Sequence, residues 1–145
     1  MVGGFHHQGS RAAARRKAEE VLALVGMDAQ AEIEAHNLTA TDRKRLELAR
    51  CLATDPELLL LDEVVAGATP AEATAMMDLI RRIRDDGVTI LMVEHVMRVV
   101  MGLSHRVLVL HHGETIAIGK PNMVSRDPAV LKAYLGERHV QSATS

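Results

Sequence analysis

The chain has 145 residues, a length that fits one domain, and a formal net charge of -2. Only Phe5 and Tyr134 are aromatic, so the chain lacks both the stacking platforms and the positive charge used by nucleic-acid-binding proteins. The single Cys51 excludes an intrachain disulfide and indicates a reducing compartment, and its apolar helical neighbours favour a buried position. We therefore expect a cytoplasmic protein with no nucleic-acid partner.

The N-terminal part of the chain predicts two helices. Apolar residues at spacings of three and four predict an amphipathic helix over 11–26, with Gly26 as its C-terminal cap. Thr39, with Asp42 three residues later, is typical of an N-cap, and the second helix is predicted over 43–53.

Two apolar runs, 58–61 and 88–93, predict strands of a parallel sheet. Both runs are apolar at every or nearly every position, which indicates strands covered on both faces. A helix over 71–86 joins them, with Met76, Leu79, Ile80 and Ile83 as its inward stripe.

The remaining elements complete an α/β pattern. They are a helix over 96–103, a strand over 106–110, and a hairpin through 111–114 that returns over 115–118. The segments 1–10 and 138–145 are expected to be flexible tails.

Polar residues end both buried strands: Asp62 and Glu63 follow the first, and Glu94 and His95 follow the second. In parallel sheets, ligands bind beyond the carboxyl ends of the strands. Asp62 can hold Mg2+ through water, Glu63 can polarise an attacking water, and His95 can contact a terminal phosphate. The alternative is that the strands simply end in solvent-facing acids.

At this point the sequence resembles a known family. Residues 45–63 resemble the stretch of ATP-binding cassette (ABC) ATPases from signature helix to Walker B, and residues 88–95 resemble their next strand and H-loop. Residues 118–137 are similar to the C-terminal extension of the ATPases of high-affinity branched-chain amino acid importers. The resemblance spans roughly residues 13–137.

This resemblance implies a partial P-loop NTPase core of parallel strands with flanking helices and a C-terminal hairpin. Segment 11–54 would be the remnant of the helical subdomain, and segment 55–137 the C-terminal half of the core. The implied cofactors are ATP and Mg2+. The implied partners are permease subunits, which would hold the protein at the inner face of the cell membrane, and a second ATPase subunit.

The resemblance also implies residue roles. Asp62 would coordinate Mg2+, Glu63 would be the general base, and His95 would contact the terminal phosphate. The residues at the D-loop, which meets the opposite subunit, are Ala66, Gly67 and Thr69. The residues at a degenerate, nucleotide-contacting signature are Thr39, Ala40, Thr41 and Asp42.

Two departures from the family pattern bear on activity. The sequence contains no Gly-x-x-x-x-Gly-Lys-Ser/Thr loop, so it has no backbone cradle or lysine for phosphate. Thr41 replaces a glycine of the signature, and Asp42 adds a negative charge at a helix N-terminus that should attract phosphate. We therefore do not expect ATP hydrolysis by this chain alone.

Three interpretations stay open. The chain is a portion of an importer ATPase that works only with its other half, or it is an inactive remnant that serves as a binding or regulatory module or has no function. In either case the family's P-loop strand, which would lie between the strands at 88–93 and 106–110, is missing. We therefore expect unpaired inner edges of the sheet, so that the chain closes the gap by repacking, self-associates through those edges or is poorly stable. A weaker third interpretation takes the histidines as metal ligands, namely His6, His7, His36, His105, His111, His112 and His139.

Overall fold

The computed structural model describes residues 10–134, which fall into two compact units that divide between Val93 and Glu94. The predicted flexible tails lie outside the described residues, except for Ser10. The elements of the first unit are α1 (Arg11–Leu24), α2 (Ala40–Leu52), β1 (Leu58–Asp62), α3 (Pro70–Asp85) and β2 (Thr89–Val93). Those of the second are α4 (Met97–Leu103), β3 (Val107–His111), β4 (Glu114–Gly119) and α5 (Pro121–Val124). The subdomain division into 11–54 and 55–137 stays a prediction.

Helix α1 begins at the predicted residue, Arg11, and ends at Leu24, two residues before the predicted limit. The Ser10 side chain accepts a hydrogen bond from the Ala13 N–H at 3.2 Å, which satisfies one of the free donors at the helix start. Gly26 follows the helix with a φ of 71°, the left-handed conformation that closes many helix ends. Lys17 reaches from α1 to the carboxylate of Asp55 at 2.6 Å, so α1 is tied to the turn that precedes β1.

Helix α2 has the predicted N-cap, Thr39, and is buried along one side. Its buried residues are Leu48, Ala49 and Leu52, and Ala53 is buried directly after it. Cys51 is exposed, so the expectation of a buried cysteine was wrong. The physical reason is helical geometry: at about 100° per residue, the buried residues Leu48, Leu52, Ala49 and Ala53 fill one arc of the helix, and Cys51 lies outside that arc.

Strands β1 and β2 pair in parallel with Leu60 opposite Leu91 and Asp62 opposite Val93. Leu59 and Leu61 are 4% and 7% exposed, whereas Leu58 and Leu60 are 53% and 67% exposed. The prediction of strands covered on both faces was therefore wrong. Only the face of Leu59 and Leu61 is packed in the described part of the chain, because alternate side chains of a strand point to opposite faces.

The other face of this sheet is exposed, and we call it the open face. The four large apolar side chains that form it are Leu58, Leu60, Leu91 and Val93. Within residues 10–134, β1 and β2 pair only with each other, so each has an edge without a strand partner.

Helix α3 is defined by a complete capping box. The Thr69 side chain accepts from the Glu72 N–H, and the Glu72 carboxylate accepts from the Thr69 N–H, while Pro70 occupies the first helical position. The predicted stripe Met76, Leu79, Ile80 and Ile83 is buried, together with Met77.

The second unit contains the predicted hairpin. Strands β3 and β4 pair antiparallel around the turn at His112 and Gly113, with a register shift between Val109 and Leu110. Helix α5 was not predicted from the sequence, although Pro121 at its first position is a helix-start signal. Residues 128–134 are also helical.

Candidate functional site

Asp62 is the last residue of β1 and lies opposite Val93 at the end of β2. Its side chain is exposed, and the two-residue period of a strand puts it on the open face with Leu58 and Leu60. The parallel pairing therefore sets a carboxylate at the carboxyl end of the sheet, beside exposed apolar side chains.

Glu63 follows directly and has an unusual backbone. Its φ is 45°, in the left-handed region that a non-glycine residue adopts only at a cost. Its N–H donates to the Val93 carbonyl at 3.0 Å, so this conformation is fixed by the end of β2. Asp55 and His112 share this backbone conformation, so it does not by itself single out Glu63, whose catalytic role stays a prediction.

The segment from Glu63 to Thr69, which holds the predicted D-loop residues, consists of two hydrogen-bonded turns. The Ala66 N–H donates to the Glu63 carbonyl and the Ala68 N–H to the Val65 carbonyl, each at 3.0 Å. Ala66 and Gly67 are exposed, whereas Thr69 is the N-cap of α3.

Lys44 connects this segment to α2, a link that was not anticipated from the sequence. Its Nζ donates to the Ala66 carbonyl at 2.6 Å and lies 3.4 Å from the Val64 carbonyl. A single lysine 20 residues earlier in the chain gives no sequence signal for such a contact.

Three residues at the signature position, Thr39, Thr41 and Asp42, form hydrogen bonds within the chain. The Thr39 hydroxyl accepts from the Asp42 N–H at 3.1 Å and donates to the Asp42 carboxylate at 2.7 Å. The Thr41 hydroxyl donates to the Glu72 carboxylate at 2.6 Å. Ala40 is the first residue of α2 and is exposed.

Glu72 is therefore the acceptor for several donors at once. The hydrogen bond from Thr41, followed by those from the backbone and hydroxyl of Thr69, lowers the pKa of Glu72 to about 2. The sequence did carry a signal for part of this arrangement, since Thr69 and Glu72 have the spacing of a capping box.

A cavity of about 220 Å³ is bounded by α2, β1 and α3 and has Asp62 and Glu63 in its lining. Its other lining residues come from β1, α2 and α3 and include Leu59, Leu61, Lys44, Leu48, Met76 and Ile80. Apolar side chains make up much of the lining, and the charged residues Lys44, Glu47, Asp62 and Glu63 share it, so the cavity offers polar groups as well as apolar surface.

Glu94 and His95 follow β2 directly in the chain and belong to the second unit, in which Glu94 is half-buried and His95 is exposed. In that unit the rings of His111 and His112 lie with centroids 4.1 Å apart. No group of three or more His, Cys, Asp or Glu side chains within residues 10–134 could hold a metal ion.

The carboxylate of Asp62 nevertheless fits Mg2+ in one specific way. Mg2+ prefers oxygen ligands and is usually bound through one or two carboxylates, its own waters and substrate phosphates. An exposed aspartate at a strand end supplies one such ligand. Asp62 could therefore hold the ion, and the ion would neutralise phosphate charge.

Comparison with known proteins decides the family. The ABC transporter family model matches residues 5–66, and the model described as branched-chain amino acid ATP-binding cassette transporter matches residues 114–140. The chain belongs to the ABC family. It is 43% identical over 117 residues to the high-affinity branched-chain amino acid transport ATP-binding protein LivG of Escherichia coli K12, an alignment covering 80% of this chain and 46% of LivG.

A second relative and a solved structure agree with this assignment. BraF of Pseudomonas aeruginosa is also a high-affinity branched-chain amino acid transport ATP-binding protein. It is 41% identical over 104 residues, an alignment that covers 71% of this chain and 41% of the length of BraF. The ABC ATPase fold is shared with the ATP-binding cassette of an ABC transporter in its ADP conformation, at 26% identity and a TM-score of 0.79. That match covers 89% of this chain and 52% of the solved chain.

The predicted family and fold class are thus confirmed. The chain spans about half the length of the curated relatives it matches. Among residues 10–134, no helix is both long enough and apolar enough to cross a membrane.

Proposed function

We propose that this chain is the water-activating portion of the ATPase subunit of a branched-chain amino acid importer, and that it acts together with a polypeptide carrying the phosphate-binding loop of the family. The observation that carries the proposal is the position of Asp62 at the carboxyl end of a parallel strand pair, on the open face. The names of LivG and BraF support the transported class.

The open face supports the need for a second polypeptide. Parallel sheets in proteins are almost always covered on both faces, yet Leu60 is 67% and Val93 is 64% exposed here. Asp62 shares that face, so a polypeptide that covers it would also come close to the carboxylate. The polypeptide that covers the open face would therefore also supply the missing part of the nucleotide site.

In the completed site the residues of this chain have separate roles. Glu63 would accept the proton of the attacking water and Asp62 would hold Mg2+. For His95, which belongs to the second unit, the resemblance implies a contact with the terminal phosphate. Permease subunits bind the completed domain, which places it at the cytoplasmic face of the membrane, and a second ATPase subunit faces it across the nucleotide.

The test is complementation. The chain is mixed with a separately purified polypeptide that contains the phosphate-binding half of a LivG-type relative, and assembly and ATP turnover are measured. We expect ATP turnover only in the mixture, and a loss of about 10²–10⁴-fold in Glu63→Gln with assembly retained, because Glu63 acts as the general base. Turnover by the chain alone, or an unaffected Glu63→Gln, would contradict the proposal.

The residues at the signature position, Thr39 to Asp42, favour a second candidate function, that of a non-catalytic binding module. There the first turn of α2 already carries the carboxylate of Asp42 and receives that of Glu72, which oppose a phosphate at the same place. Assembly without ATP turnover would support this second candidate.

A further inference from the structure

The first turns of α2 and the segment that follows Glu63 are joined at two points. At the start of that segment, Lys44 Nζ contacts the carbonyl oxygens of Ala66 at 2.6 Å and Val64 at 3.4 Å. A lysine ammonium has three donors, so one side chain can serve both carbonyls. Hydrogen bonds from a charged donor are stronger than those between neutral groups.

The second point lies at the end of the segment. Thr41 donates to Glu72 Oε1 at 2.6 Å, while Glu72 Oε2 accepts from the Thr69 N–H at 2.8 Å and from its hydroxyl at 2.7 Å. The same carboxylate therefore caps α3 with one oxygen and contacts α2 with the other. Both Thr41 and Glu72 are half-buried.

The helix that makes both contacts is held firmly at this end. Thr39 caps it through the Asp42 N–H, and Leu48 and Ala49 are buried one to two turns later. Lys44 and Thr41 are three residues apart, so they lie on one side of α2. One face of α2 thus contacts both ends of the segment that begins at Glu63.

We propose that Lys44 and Thr41 are positioning residues, which fix the segment from Glu63 to Glu72 against α2 and thereby set the orientation of the Glu63 backbone. Thr41, at the signature position, would thus hold α2 against the start of α3 through its hydrogen bond to Glu72. For its catalytic consequence the proposal rests on the function proposed above, but the two-point attachment can be tested in the chain alone.

The first experiment is hydrogen–deuterium exchange on the whole chain. In Lys44→Met we expect the Ala66 and Ala68 amides to exchange several-fold faster, because the carbonyls that Lys44 fixes lose their donor. Lys44→Arg should keep most of the protection, since it retains a charged donor. Arg43→Met, an exposed neighbour on α2, is the matched control and should change nothing in this segment.

The second point of attachment has its own variant. Thr41→Val keeps the shape of the side chain but removes the hydroxyl, so exchange should rise in the first turn of α3, at Glu72 and Ala73. Unchanged exchange in both Lys44→Met and Thr41→Val would overturn the proposal. A uniform rise that includes the β1 and β2 amides would also overturn it, because that pattern reports a general loss of stability.

Complementation separates this proposal from the proposed function. In an active mixture, Lys44→Met should lower kcat about tenfold with KM for ATP unchanged, and Lys44→Arg should restore it. Normal kcat in Lys44→Met would overturn the positioning role. If the unsubstituted mixture shows no turnover, the proposed function fails, and the exchange experiment alone decides whether the attachment exists.

Discussion

The two faces of the β1–β2 pair are both largely apolar, but one is buried and the other exposed. Leu59 and Leu61 are buried toward α2 and α3, whereas Leu58 and Leu60 on the same strand are exposed. A strand that is apolar on both faces is suited to burial on both. Strand β1 therefore has apolar residues on a face that no part of residues 10–134 covers. The candidate site lies at the end of this strand, where the carboxylate of Asp62 belongs to the open face.

The largest expected effect is a difference in stability when the same substitution, leucine to alanine, is made on each of the two faces. Leu59→Ala should lower the free energy of unfolding by about 2–5 kcal/mol, because it leaves a cavity in the packed face. Leu60→Ala, on the next residue, should change it by no more than about 0.5 kcal/mol, because its side chain is already exposed. Urea denaturation of both variants measures the difference, and equal losses would show that the open face is packed in solution.

A smaller effect concerns α3, which lines the packed face. Thr69→Ala removes the capping hydroxyl and should cost about 1 kcal/mol in the free energy of unfolding. Thr74→Ala makes the same change on an exposed position of the same helix and should cost much less. The two urea midpoints provide the comparison, and a cost for Thr74→Ala as large as that for Thr69→Ala would rule out capping as the cause.

The open face should matter for association more than for stability. Leu60 and Leu91 are direct cross-strand partners, so Leu60→Lys combined with Leu91→Glu replaces an apolar pair by an opposite-charge pair. We expect the unsubstituted chain to self-associate with increasing concentration and the double variant to do so less, as measured by sedimentation velocity. Leu131→Lys, an exposed leucine outside the open face, serves as the control and should leave association unchanged.

The smallest effect is a pH dependence at the junction of Thr41 with α3. The pKa of Glu72 is lowered from 4.5 to about 2, first by the hydrogen bond from Thr41 and then by those from Thr69. Because the folded-state pKa lies below the ordinary value, this stabilisation is present above pH 4.5 and is lost as the pH falls toward about 2. Both Glu72→Gln and Thr41→Val should reduce the acid sensitivity of the urea midpoint, and identical pH profiles for all three proteins would contradict this.

Much of the secondary structure could be predicted because its signals are local. The caps at Thr39 and Gly26, the apolar stripe of α3 and the turn at His112 each depend on residues a few positions apart. Helix α5 was missed because its four residues are too few to show a helical period. The exposure of Cys51 was misjudged because an apolar neighbourhood in sequence does not state which side of a helix is buried.

By itself the sequence determined the family, the α/β order of the elements and the position of Asp62 and Glu63 at the end of a strand. These features follow from short-range patterns and from motifs whose residues are contiguous. The tertiary structure alone decided that one face of the β1–β2 pair is open, that Glu63 has a left-handed backbone, and that Lys44 and Thr41 contact the segment beyond it. Such contacts join residues 20 to 31 positions apart, and their partners are backbone carbonyls or a capping carboxylate. No local sequence pattern specifies which distant carbonyls Lys44 will contact, because only the packing of α2 against the segment after Glu63 brings Lys44 close to them.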